Sequence, residues 1–101
     1  MSDRISQKPL IQQYRSLKIA LPRGIILFML IGEFYATYDE DACVSAPILG
    51  TSLWPSSIYP MCGFNRLRVD TILAKFVRAG KSIAIAERCD DEVFKVTRVV
   101  N

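Results

Sequence analysis

The chain contains no histidine. That excludes Ser-His and Cys-His nucleophile pairs and the common zinc sites that use imidazole. Cysteine is scarce: Cys43, Cys62 and Cys89 make an odd count, and no C-x-x-C spacing occurs. Reduced, mostly buried thiols are expected. No stretch reaches the roughly 18 apolar residues of a membrane helix, so no membrane partner is expected. The opening residues, Met1 to Pro9, lack the apolar core of a secretory signal, and a cytoplasmic chain is expected. A phosphate-binding G-x-x-x-x-G-K-[ST] loop is missing, so ATP binding is not expected. Nor is there the spaced series of acids and lysine that a metal-dependent nuclease would use. The sequence therefore predicts no enzyme and no cofactor. Charge of one sign is not in large excess either. The formal net charge of +3 permits an anionic partner without demanding one.

What is present is a core. Half of the 101 residues are hydrophobic, enough for one domain. Residues 1–8 are polar and read as a disordered tail, which leaves 9–101 as the domain. The most informative stretch is Ile25-Ile26-Leu27-Phe28-Met29-Leu30-Ile31-Gly32-Glu33-Phe34-Tyr35. Its continuous apolar run suits a strand buried on both faces. Gly32 marks where that strand turns, and Phe34 and Tyr35 follow at or just past its end.

Around this strand the pattern alternates. Pro9 opens a helix whose apolar stripe is Leu10, Tyr14, Leu17 and Leu21, with Arg15 and Lys18 on the other side. Pro22 and Arg23-Gly24 end it. Asp39-Glu40-Asp41 lead a second helix, where acids favour the positive end of the dipole. A Mg²⁺ site there is disfavoured, because consecutive helical residues point in different directions. Pro47 weakens that helix and Gly50 stops it. Thr51 to Trp54 and Ile58 to Cys62, flanking Pro55-Ser56-Ser57, read as a hairpin. Pro60 marks its second strand as edge or irregular. Trp54 near the tip is expected to pack on the sheet. Asn65 is an N-cap for a third helix with the stripe Val69, Ile72, Leu73, Phe76 and Val77, closed by Gly80. Ser82 to Ala86 is a strand, Asp90-Asp91-Glu92 a charged turn, and Val93 to Val100 a final strand. The expected fold is α/β, a mixed sheet packed with about three helices.

Charge is unevenly placed. Arg66, Arg68, Lys75, Arg78 and Lys81 face only Asp70 between residues 66 and 81, whereas Glu33 to Asp41 holds four acids and no base. The basic helix could meet phosphates or be a solvated face.

The order of short motifs is more specific. Pro9-Leu10-Ile11-Gln12-Gln13-Tyr14 with Leu17-Lys18 resembles the opening of the N-terminal mismatch-recognition domain of the MutS family. Leu27-Phe28 followed by Gly32-Glu33-Phe34-Tyr35 resembles that domain's L-F-x-x-x-G-D-F-Y. Asp39-Glu40-Asp41-Ala42 matches the next segment, and Pro60-Met61-Cys62-Gly63 resembles P-M-A-G. Leu73-Ala74-Lys75-Phe76-Val77, Gly80 to Glu87 and Val96 to Val100 follow in family order. Together they cover about residues 9–100.

The resemblance implies an α/β module that approaches duplex DNA from the minor groove. A phenylalanine of an F-x-E motif wedges beside a mispaired base, where the stack is already weakened. Carried over, Phe34 is the wedge, with Tyr35, Arg66, Arg68, Lys75 and Arg78 as further candidate DNA contacts. The glutamate position holds Ala36, so the polar half of the reading pair is lost. Leu30 stands where bacterial members often carry arginine, and Asn65-Arg66-Leu67 replaces the usual P-Y-H. The implied partner is double-stranded DNA, mismatched or not, and the chain reads as a stand-alone or excised domain. The alternative implied role is a protein-interaction module of a mismatch-repair complex, whose partner would be a MutS-family or other repair protein.

Overall fold

The computed structural model describes residues 9–55, 57–89 and 93–101. The expected tail at 1–8 and the charged turn at Asp90 to Glu92 lie outside them. In chain order the elements are α1 (Leu10–Ala20), β1 (Ile25–Ile31), β2 (Phe34–Tyr38), α2 (Asp39–Leu49), β3 (Met61–Asn65), α3 (Val69–Arg78), β4 (Ser82–Arg88) and β5 (Phe94–Val100). A short 3₁₀ turn, Arg66–Arg68, leads into α3. The strands form one five-stranded sheet in the order β3-β2-β1-β4-β5. β1 and β4 are parallel and the other neighbours antiparallel, so the sheet is mixed as expected.

The long apolar run is the central strand, and strand alternation explains its composition. Ile26 and Phe28 of β1, with Ile83 and Ile85 of β4, join Ile72, Leu73 and Phe76 of α3 in one cluster. Leu27 and Met29, with Ala84 and Ala86, join Ile11 and Tyr14 of α1 on the other side. Small residues on β4 leave room for α1. α2 packs over β3, where Ala42 and Ala46 meet Cys62. Burial pushes the Cys62 thiol up to about 11, as expected for an inert core cysteine.

The third helix closes as its sequence indicates. Gly80 takes φ +77°, and Gly80 N–H and Lys81 N–H donate to the Val77 and Phe76 carbonyls at 2.9 Å each. That is the paired capping pattern a C-terminal glycine permits.

Two expectations are corrected. First, Phe34-Tyr35-Ala36-Thr37-Tyr38 is a full strand and not a strand end. Gly32 and Glu33 form a two-residue hairpin turn, with Gly32 at φ +61° in the first central position. Aromatic and β-branched residues then continue the sheet. Second, no hairpin spans 51–62. β3 pairs with β2, and residues 51–55 and 57–60 are not in strands. The Trp54 N–H donates to the Met61 carbonyl at 2.8 Å, the main link between that segment and the strand. Pro55 and Pro60 have no N–H to give, so a continuous ladder cannot form there.

α1 is tied to the rest by charge as well as by packing. The Asp41 carboxylate accepts from the Tyr14 hydroxyl, from the Leu27 N–H at 3.0 Å, and from Lys18 Nζ at 2.9 Å. Lys18 Nζ also donates to the Ile25 carbonyl. Arg15 pairs with Asp39 at 2.9 Å. The two cations assigned to the solvent side of α1 therefore reach across to the start of α2. Asp41 is 8 % exposed, and the Leu27 N–H it takes lies just beyond the last β1–β2 pair, Met29 with Ala36.

Removing this acceptor leaves the Tyr14 hydroxyl and the Leu27 N–H buried without their partner. Asp41→Ala is expected to lower unfolding free energy by about 2–4 kcal/mol, measured by urea titration. A change within error would show that these bonds are not the clamp described.

Burial, then the Asp41 hydrogen bond, raises Tyr14 well above its ordinary 10.0. The unfolded chain ionises at about that ordinary value while the folded chain resists. The associated stability is thus full below pH about 10 and is lost as pH rises beyond it. Melting temperature is expected to fall above that pH, and less steeply in Tyr14→Phe. Parallel curves for the two proteins would contradict the assignment.

Candidate nucleic-acid interface

The β1–β2 turn brings a specific set of side chains to one end of the sheet. Alternation sends Phe34 and Tyr35 to opposite faces. Phe34 is 46 % exposed, whereas Tyr35 is 8 % exposed and packs on Phe64 with ring centroids 5.4 Å apart. The aromatic pair is therefore split. Phe34 presents a ring, and Tyr35 is part of the core and is not placed to stack on a base.

Phe34 pairs with Asn65 of β3, and the Arg66 N–H donates to the Glu33 carbonyl at 2.9 Å. The Asn65 side chain accepts from the Leu67 N–H at 2.9 Å, the cap expected of it, one turn ahead of α3 itself. These bonds fix Arg66, Leu67 and Arg68, all exposed, beside the Phe34 hairpin. An exposed ring with two guanidinium-bearing neighbours can offer one flat apolar surface and charges for flanking phosphates.

Lys75 and Arg78 are further away. α3 carries them about 10 Å and about 15 Å along its axis from Arg68, at 1.5 Å per residue. Lys81 lies at the opposite end of the sheet, where Ser82 pairs with Ile25. The basic stretch 66–81 is thus not one patch: Arg66 and Arg68 are near Phe34, and the other cations trail away.

One arginine not singled out from the sequence, Arg88, joins the Phe34 end. Arg88 lines a shallow depression with Leu30, Ile31 and Gly32. Arg98 acts electrostatically on the Tyr35 hydroxyl. Burial raises that hydroxyl first, the Glu87 charge adds to it, and Arg66 and Arg98 oppose. Parallel pairing of β4 with β1 brings Arg88 there, and that pairing was the missing signal.

Ala36 is 1 % exposed, between Met29 and Gly63 in the sheet. Trp54 lies over this part of the face. A Cβ built on Gly63 would come within 3.0 Å of the Trp54 ring and 2.4 Å of the Tyr35 carbonyl oxygen. Trp54 also meets Phe34 edge to face, with centroids 6.2 Å apart. Trp54 therefore packs on the sheet, as its setting indicated, and does so against the candidate wedge. Leu30 is half-buried against the cluster beneath α3.

The acids 39–41 diverge: Asp39 pairs with Arg15, Asp41 faces Tyr14 and Leu27, and Glu40 is exposed. Among the described residues no three His, Cys, Asp or Glu side chains converge on a metal-sized site. No helix among them is long and apolar enough to cross a membrane.

This arrangement agrees with sequence comparison. Residues 8–101 match MutS domain I, and the chain belongs to that family. It is 38 % identical to the DNA mismatch repair protein MutS of Porphyromonas gingivalis over 90 % of its own length, 11 % of that protein. Against the protein of the same name from Phocaeicola vulgatus the identity is again 38 %, covering 90 % of this chain and 11 % of that protein. Against that from Desulfitobacterium hafniense it is 40 %, covering 82 % and 10 %. The chain thus spans about a tenth of the length of these relatives.

Gly63 has no room for a side chain, because the 2.4 Å approach is to backbone. Gly63→Ala is expected to lower stability by about 1–3 kcal/mol, read by chemical denaturation. Phe34→Ala, at an exposed ring, is expected to change stability far less. The reverse ranking would mean that the β2–β3 edge is not packed as described.

Proposed function

We propose that this chain is a DNA-binding module of the mismatch-repair context. It meets duplex DNA with the sheet end that carries Phe34. The observation that supports this best is the division of the aromatic pair. Phe34 stands exposed as the first residue of β2, directly after a two-residue turn, while Tyr35 anchors the same strand in the core. A wedge must be exposed yet fixed, because a mobile ring loses in ordering what it gains in stacking. Arg66 and Arg68 take flanking phosphates, and Lys75 and Arg78 extend the electrostatic path along α3. Stacking at a step already loosened by a mispair costs less than at a paired step. With Ala36 in place of a carboxylate, base identity is read weakly. The module contributes no catalysis, and a cytoplasmic setting goes with this role.

A second reading has its own support. Ala36 removes the polar half of the reading pair. A groove of about 820 Å³, at the sheet end away from Phe34, is lined by side chains of both signs, Lys18, Arg23, Glu40 and Lys81 among them. In this reading the module docks onto a repair protein instead of DNA.

Anisotropy titrations of labelled duplexes at low salt separate the two. The DNA-binding reading predicts measurable binding, tighter for a mismatched duplex, with the preference lost in Phe34→Ala. Arg66→Ala should weaken both duplexes alike and flatten the log–log salt slope by about 0.9. Absence of binding to any duplex would favour the docking reading.

A further inference from the structure

The proposed wedge does not stand alone. Trp54 is the only tryptophan in the chain. It comes from the 51–60 segment, on a different part of the chain from the hairpin. Three features hold it in place. Its N–H is bonded to Met61, Gly63 offers a seat without a Cβ, and its ring meets Phe34 edge to face at 6.2 Å. Beside that seat, Ala36 is sealed at 1 % exposure. A side chain longer than a methyl group at position 36 would have to displace its neighbours.

We infer that Trp54 is the positioning residue for Phe34, holding from a separate part of the chain the ring that would stack on a base. The inference rests on the DNA-binding reading and deepens it. Edge-to-face packing holds the Phe34 ring in one orientation, so little freedom is lost when a base stacks on it. Asn65, the cross-strand neighbour of Phe34, uses its side-chain oxygen to cap Leu67, which leaves the Trp54 ring as the aromatic contact that orients Phe34.

The test uses the whole chain and three labelled duplexes: matched, mispaired, and carrying one unpaired nucleotide. Affinities are compared for the native chain, Trp54→Ala, Trp54→Phe and Phe34→Ala, each checked for folding by circular dichroism. The native chain should prefer the unpaired-nucleotide duplex over the matched one. Trp54→Ala should reduce that preference by about two- to tenfold, the range expected for one aromatic pair, while binding to matched duplex is unchanged. Trp54→Phe, which keeps a ring, should restore most of it.

Fluorescence adds a readout independent of DNA. Trp54 emission should shift to the red in free Phe34→Ala as the indole loses its cover. If Trp54→Ala keeps the full preference while Phe34→Ala abolishes it, the positioning role is overturned and the wedge stands. If the native chain binds none of the duplexes, the DNA-binding reading itself fails and this inference with it. If Trp54→Ala does not fold, the Trp54→Phe ratio and the Phe34→Ala emission shift decide: an unshifted spectrum contradicts the contact.

Discussion

The buried carboxylate of Asp41 is the constraint on which the rest of the structure depends. It sits at the first turn of α2 yet bonds to α1 through Tyr14 and Lys18 and to β1 through the Leu27 N–H. One side chain thus joins three elements far apart in sequence. A carboxylate this buried is tolerable only with its oxygens occupied, and here they are. The bonds also close the β1–β2 ladder at the end opposite the turn. The hairpin that begins at Leu27 and ends at Tyr38 is clamped at its base and exposed at its tip.

That clamping explains how a small sheet can present an aromatic ring usefully. β1 is buried on both faces, β2 is pinned between β1 and β3, and Phe34, the first residue of β2, lies beyond the cover that buries Ala36 and Tyr38 on the same face. Core formation at one end and ring exposure at the other follow from the same strand geometry. At the outer edge of β3 the Met61 carbonyl is taken by the Trp54 N–H, which blunts an edge that would otherwise invite pairing with another chain. That tryptophan packs on the face that the glycine leaves open.

Much of this was legible in the residues. The central strand, the three helices, the Asn65 cap and the Gly80 stop carry strong local signals, because periodicity and capping are local properties. The strand at Phe34 to Tyr38 was written just as locally, as a Gly-led two-residue turn before aromatic and β-branched residues. Gly32 also ends a long apolar run, and that ending masks the turn in the sequence. The hairpin assigned to 51–62 failed for another reason. Tyr59 and Trp54 look like strand residues, but their backbone partners depend on β2 having already claimed β3. The split of the basic stretch, and the arrival of Arg88 near Phe34, depend on the parallel pairing of β4 with β1. Tertiary pairing of this kind has no local signature. Membership in the MutS domain I family was legible from motif order, while the burial of Ala36 beside the Trp54 seat required the coordinates.

The account places the contact surface at the tip of the clamped hairpin. Its most direct test is backbone amide shift mapping of the labelled domain with a duplex carrying one mispair. The account predicts shifts concentrated at Gly32 to Phe34, Trp54 and Arg66 to Arg68, with Tyr14, Leu27 and Asp41 unmoved. Shifts centred instead on Arg23, Glu40 and Lys81, at the far end of the sheet, would contradict it.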